Sequence, residues 1–127
     1  MFRFTNGLVA AVLGATLSSA SLAQVSEPEW ATVEDETLRH FRALLQFDTS
    51  DPPGRELPAA EYLRDVLEAE GIEVEMLANN PERPNVLARL EGDGSEEPLL
   101  IMAHTDVVNV DPEKWTLPPF SATVDGG

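Results

Sequence analysis

The sequence predicts a layered α/β or α+β domain with helices packed on a central sheet, and three observations carry that expectation. Two segments place apolar residues at helical spacing: Leu38, Phe41, Leu44 and Leu45, then Ala59, Leu63, Val66 and Leu67. "IEVEML", residues 72–77, alternates apolar with acidic, as a strand with one wet face does. Leu99 to Ala103 is apolar throughout, the pattern of a central strand covered on both sides.

The first 23 residues stand apart from this pattern. "MFRFTNG" carries Arg3 and no acid, and Leu8 to Leu17 is an apolar run of secretory length. "SSASLA" then ends in small residues, with Ser21 and Ala23 at the -3 and -1 positions of a cut before Gln24. A membrane span needs ~20 apolar residues, and this run is too short and too rich in Ala, Gly and Ser. A lipid anchor would need a Cys at the cut, and the chain has none. The expectation is a cleaved signal peptide over residues 1–23 and a mature portion over 24–127. That portion is secreted, or periplasmic in a Gram-negative cell, with no membrane attachment after cleavage.

Helix one should open at Thr32, which can cap it, with Glu34, Asp35 and Glu36 in the first turn where the helix dipole favours acids. It should end near Phe47, with His40 on its solvated side. "DTSDPPGRE" follows, a loop in which two prolines and a glycine forbid regular structure. Pro58 suits the first turn of helix two, and Gly71 is its natural stop. "IEVEML" and "NVLARLE", residues 85–91, read as strands joined by the turn "NNPERP". "GDGSEE" is an exposed turn before the apolar run. The tail from Asn109 is irregular and rich in proline, yet it carries Trp115 and Phe120, which loops seldom leave in solvent.

Twenty-three acids against eight Lys and Arg give a net charge of -15. That argues against nucleic acid or an anionic membrane surface as the partner, since both attract basic patches. With no cysteine, disulfides, thiolate metal sites and a Cys nucleophile are excluded as well.

The chemistry concentrates at "PLLIMAHTDVV", residues 98–108, where the apolar run meets His104. Ligands of open α/β sheets bind beyond the carboxyl ends of the strands, so His104 is expected at the rim of a crevice. Its imidazole can give a neutral nitrogen to a transition metal. Asp106, two residues on, lies on the same side of an extended backbone. It can fix the imidazole's tautomer, as a carboxylate behind a metal-bound His does. A catalytic zinc needs three protein ligands, and the other histidine, His40, reads as solvated rather than as a second ligand. From the residues alone, His104 and Asp106 form a half-site, and a hydrogen-bonded structural histidine is the plainer alternative.

The wider pattern is more specific. "HTDVV", then "DPEKWTLPPF", then "DGG" resembles the zinc metallopeptidase and amidohydrolase family. That family includes acetylornithine deacetylase, succinyl-diaminopimelate desuccinylase, aminoacylases and glutamate-releasing carboxypeptidases. "LLQFDTSDPPGRE" is similar to the family's opening segment, "AAEYLRDVLEAEGIEVE" to its next helix and strand, and "RPNVLARLEG" to the strand after that. The resemblance runs from about Val33 to Gly127 and implies the N-terminal portion of a zinc-exopeptidase-like catalytic domain.

By that resemblance His104 is the first zinc ligand and Asp106 the aspartate that orients it. Trp115, Pro119 and Phe120 belong to a segment packed beside the metal cleft, and Asp125 and Gly126 to the turn before the next motif. Asn109 departs from the family, which has a proline or small residue there. The resemblance implies two zinc ions in the complete enzyme, or cobalt or manganese, since imidazole suits several metals. It also implies hydrolysis of N-acyl amino acids or short peptides, and a dimer formed through a lid domain. The Gly-Arg-Gly motif and the late histidine of the family are not in these 127 residues, and no Glu-Glu pair follows His104 as the family's does. The expectation is therefore a portion inactive by itself. The alternatives are a non-catalytic secreted binding module and a naturally truncated inactive product.

Overall fold

A computed structural model describes residues 27–125; the expected signal peptide and Gly126 lie outside the described residues. Two helices and four short strands make up the regular structure: α1 (Trp30–Leu45), β1 (Ser50–Asp51), α2 (Leu57–Ala69), β2 (Val74–Leu77), β3 (Asn85–Ala88) and β4 (Val107–Val108), with a 3-10 turn at Pro112–Lys114. The strands form two separate pairs. β2 and β3 are an antiparallel hairpin in which Val74 faces Ala88 and Leu77 faces Asn85. β1 and β4 are parallel, Ser50 opposite Val107 and Asp51 opposite Val108.

The central unit is α2 against the hairpin. Ala59 and Ala60, each 2 % exposed, are the buried apolar residues of the described chain. Leu63, Val66 and Leu67 continue the stripe half-buried, as their spacing predicts. Ile72, Val74 and Met76 are half-buried while Glu73 and Glu75 face water, which is the alternation predicted for this strand. Pro58 sits in the first turn of α2. At its other end Gly71 N–H donates to Glu68 O (2.9 Å) and Ile72 N–H to Leu67 O (3.0 Å), a Schellman closure. That closure needs a left-handed residue, and Gly71 supplies it at φ 77.

Helix α1 departs from expectation in three ways. It begins at Trp30, two residues before Thr32, with no side-chain cap; the amides of Thr32 and Val33 instead donate to Glu29 O. Glu34, Asp35 and Glu36 therefore lie beyond the first turn. Its apolar face stays largely in solvent, with Leu38 50 % and Phe41 57 % exposed. His40 is not on the solvated side. It is half-buried, with Nδ1 2.6 Å from the Tyr62 hydroxyl of α2 and the two rings 5.9 Å apart. Phe47 approaches the same tyrosine. The helical period placed His40 opposite the leucine face, but the α1–α2 contact forms on the His40 side.

The largest correction concerns the predicted central strand. Leu99, Leu100, Ile101 and Met102 are 84, 72, 83 and 81 % exposed and belong to no strand. Among the described residues no backbone–backbone hydrogen bond outside helices and strands involves residues 96–104. A buried strand needs a neighbour at each edge and a layer on each face. Here the hairpin pairs with itself, and β1 is too short to reach back past β4.

Candidate metal site

The loop 48–56 and the segment 104–108 are brought together by β1 and β4. Thr49, 3 % exposed, holds both sides of Asp106: its hydroxyl donates to Thr105 O at 2.6 Å, and its carbonyl accepts the Val107 N–H at 3.2 Å. The loop is in turn fixed by Arg83. The guanidinium donates to both oxygens of Glu56, at 2.9 and 3.0 Å, and to Asp51 at 3.0 Å. Glu56 is buried at 5 % exposure, so this fork supplies the charge its carboxylate needs there. Glu56 first, and Asp51 after it, hold Arg83 above its ordinary pKa. Gly54 closes the loop through its N–H to Ser50 O (2.9 Å). Its φ is +75, and a Cβ there would fall 2.6 Å from Arg83 Nε.

His104 stands in solvent, its side chain 83 % exposed. Its Nδ1 lies 3.2 Å from Asp106 Oδ1 and 3.0 Å from the Asp106 carbonyl oxygen. Both neighbours are acceptors. In the neutral ring these acceptors favour the proton on Nδ1, which leaves the lone pair on Nε2. Asp106 thus meets the ring with its backbone carbonyl and, slightly farther off, its carboxylate, and does so without the sheet expected to present the pair. His40, engaged with Tyr62, is not part of it. Among the described residues no three His, Cys, Asp or Glu side chains group as a metal cage. The structure therefore brings His104 and Asp106 together with no further ligand-type side chain grouped with them among the described residues.

Beside it lies an open cleft of about 420 Å³ lined by Asp48, Ser50, Arg55, Val110, Pro119 and Phe120, among others. Pro119 and Phe120 form part of its apolar wall. Trp115 does not; it is 54 % exposed. Within the cleft the Ser50 hydroxyl, and then its amide, hold the Asp48 carboxyl below its usual range. Sequence reading passed over Thr49 and Arg83. A threonine between Asp and Ser, and an arginine in a proline turn, carry no periodic signal of burial or contact.

A deformylase of N-formyl-4-amino-5-aminomethyl-2-methylpyrimidine from Halalkalibacterium halodurans is 39 % identical over 98 residues, covering 74 % of this chain and 23 % of that protein. A succinyl-diaminopimelate desuccinylase from Hydrogenovibrio crunogenus is 37 % identical over 94 residues, 71 % of this chain and 23 % of the relative. A probable desuccinylase of the same name from Staphylococcus epidermidis is 32 % identical over 96 residues, 74 % of this chain and 22 % of the relative. Over this stretch the chain is similar to hydrolases of the amidohydrolase type. It spans less than a quarter of the length of these relatives. No family model matches the chain, and no solved structure matches it significantly.

Proposed function

We propose that this chain supplies the first metal ligand of a zinc-dependent hydrolase that cleaves amide bonds of N-acyl amino acids or short peptides outside the cytoplasm. The observation that carries the reading is the imidazole of His104, with Nδ1 on Asp106 and Nε2 turned to solvent. Support comes from the relatives, whose names describe removal of a formyl or a succinyl group.

The residues present fit one ligand of such an ion and no more. His104 offers a neutral nitrogen with its far side already held, and Asp106 raises that ligand's basicity. Zinc, when bound, supplies Lewis acidity and lowers the pKa of its water to about 7. In the neutral ring Asp106 favours the proton on Nδ1, which leaves Nε2 as the nitrogen free to bind. Pro119 and Phe120 give one side of the neighbouring cleft an apolar wall against bulk water. A hydrolase needs further ligands and a general base, which the described residues do not gather here. The chain by itself is therefore inactive in this proposal, and the complete activity belongs to a protein of the relatives' length.

The test is a zinc titration of the 127-residue chain followed by imidazole NMR, with hydrolysis of succinyl-diaminopimelate assayed in parallel. Weak, saturable shifts of the His104 ring, abolished in His104→Ala, and no turnover above a metal-free blank are expected. A zinc response that survives His104→Ala removes the ligand assignment. Turnover by the chain alone removes the inactivity.

A further inference from the structure

We propose that Thr49 is a positioning residue for the His104–Asp106 pair, setting which imidazole nitrogen is presented outward. Its zinc arm rests on the metal reading above; its tautomer arm does not.

Thr49 is one of the few buried residues of the described chain, 3 % exposed, and it is polar. A buried hydroxyl without a partner is costly, so its bond at 2.6 Å to Thr105 O is a committed one. The partner's place in the chain gives the bond its consequence. Across trans peptides the Thr105 carbonyl and the Val107 N–H point to one edge of the strand, and the N–H and C=O of Asp106 point to the other. Thr49 takes both groups on the first edge, one with its hydroxyl and one with its carbonyl.

The peptide planes flanking Asp106 are thereby fixed, and the Asp106 carbonyl is aimed away from β1, where His104 Nδ1 meets it at 3.0 Å. If the parallel ladder continued in this register, the Thr105 carbonyl would take the Thr49 amide. Here the threonine hydroxyl supplies a donor at that place. The preceding run cannot substitute for this clamp, because residues 99–102 are exposed and belong to no strand. The Thr105–Asp106 plane lies between His104 and both acceptors, so a turn about the N–Cα bond of Asp106, once the hydroxyl no longer holds that plane, would carry both acceptors off Nδ1 and leave the ring free to hold its proton on either nitrogen.

The experiment compares Thr49→Val, which keeps the shape and loses the donor, with Thr49→Ser, which keeps the hydroxyl, in the full 127-residue chain. Nitrogen-15 imidazole NMR of the metal-free protein reads the tautomer of His104 directly. The parent and Thr49→Ser are expected to show the Nδ1–H form, and Thr49→Val a mixture of both. Zinc affinity at His104 should fall on the order of tenfold in Thr49→Val and stay level in Thr49→Ser.

A Thr49→Val ring with the parent tautomer overturns the proposal. So does a Thr49→Ser ring as mixed as that of Thr49→Val, which would assign the effect to the methyl group. If Thr49→Val loses its helical circular dichroism, Thr49→Ser decides alone: a parent-like tautomer sustains the role of the hydroxyl, and a mixed one ends it. A tautomer change in Thr49→Val with no zinc response in any variant leaves the positioning role standing and sinks the metal reading instead.

Discussion

Replacing Gly54 by alanine tests the clamp beneath the site, and Gly71 provides its control. Both glycines are left-handed, with φ +75 and +77. An L-residue in that conformation costs roughly 1–2 kcal/mol. At Gly71 nothing lies within 4 Å of the added Cβ, so that cost is the whole effect. At Gly54 the Cβ lands 2.6 Å from Arg83 Nε and 2.7 Å from Cζ, well inside van der Waals contact. The guanidinium cannot swing aside freely, because it is bound to both oxygens of buried Glu56 and to Asp51.

Gly54→Ala therefore adds the loss of charge-assisted bonds to a buried carboxylate, and its total penalty should be roughly double that of Gly71→Ala or more. Native-state amide exchange localises both effects. In Gly71→Ala the Ile72 amide, bonded to Leu67 O, should exchange about 5–30-fold faster. In Gly54→Ala the larger acceleration should appear at Leu57, whose amide donates to Glu82 O beside Arg83. Equal penalties for the two variants, or an unchanged Leu57 amide, would refute the clamp.

Other consequences follow from the same geometry. Asp106→Asn should lower zinc affinity at His104 by about tenfold rather than a hundredfold, because the residue 106 carbonyl still accepts from Nδ1; isothermal titration measures it. Ile101→Glu should change stability by about 0.5 kcal/mol or less and reduce binding of hydrophobic dyes, since the side chain is 83 % exposed; a loss of several kcal/mol by urea unfolding would restore the buried-strand reading. Tyr62→Phe should cost about 1 kcal/mol in thermal unfolding, the size of one hydrogen bond to a half-buried His40. Asp48 has a lowered folded-state pKa, so its contribution to the Ser50 turn is fully present above the ordinary aspartate value. It fades as pH falls through the lower, folded value, and the Ser50 amide shift should titrate in that acid range.

What the sequence revealed and what it hid divide along a physical line. The α2–hairpin unit was legible because its signals are local: a proline in the first turn, a glycine at the stop, and alternation along residues 72–77. His104 with Asp106 was legible for the same reason, since two residues on one side of an extended backbone need no distant partner. The fate of residues 99–103 was not legible, because an apolar run reports only what would cover it. The side of α1 that meets α2 was misread on similar grounds: the leucine face stayed open and a histidine–tyrosine bond formed opposite. Thr49 and Arg83 escaped because their value lies in contacts 56 and 27 residues away along the chain.

The site's geometry therefore does not derive from the sheet that was expected to present it. If a packed central strand were what aimed His104, loss of strand pairing over residues 99–102 should have released the ring. Instead Nδ1 keeps an acceptor at 3.0 Å and another at 3.2 Å. Short polar contacts act over one bond length and are indifferent to whether the next layer is filled; hydrophobic burial requires that layer. The Asp-Thr-Ser segment and the His-Thr-Asp segment thus form one polar unit, in which Arg83 fixes the loop, the loop fixes Thr49, and Thr49 fixes the peptides around Asp106. Covering the apolar run would stabilise the protein as a whole, but it need not move the imidazole. Zinc should accordingly find His104 in the same tautomer before and after residues 99–102 are covered.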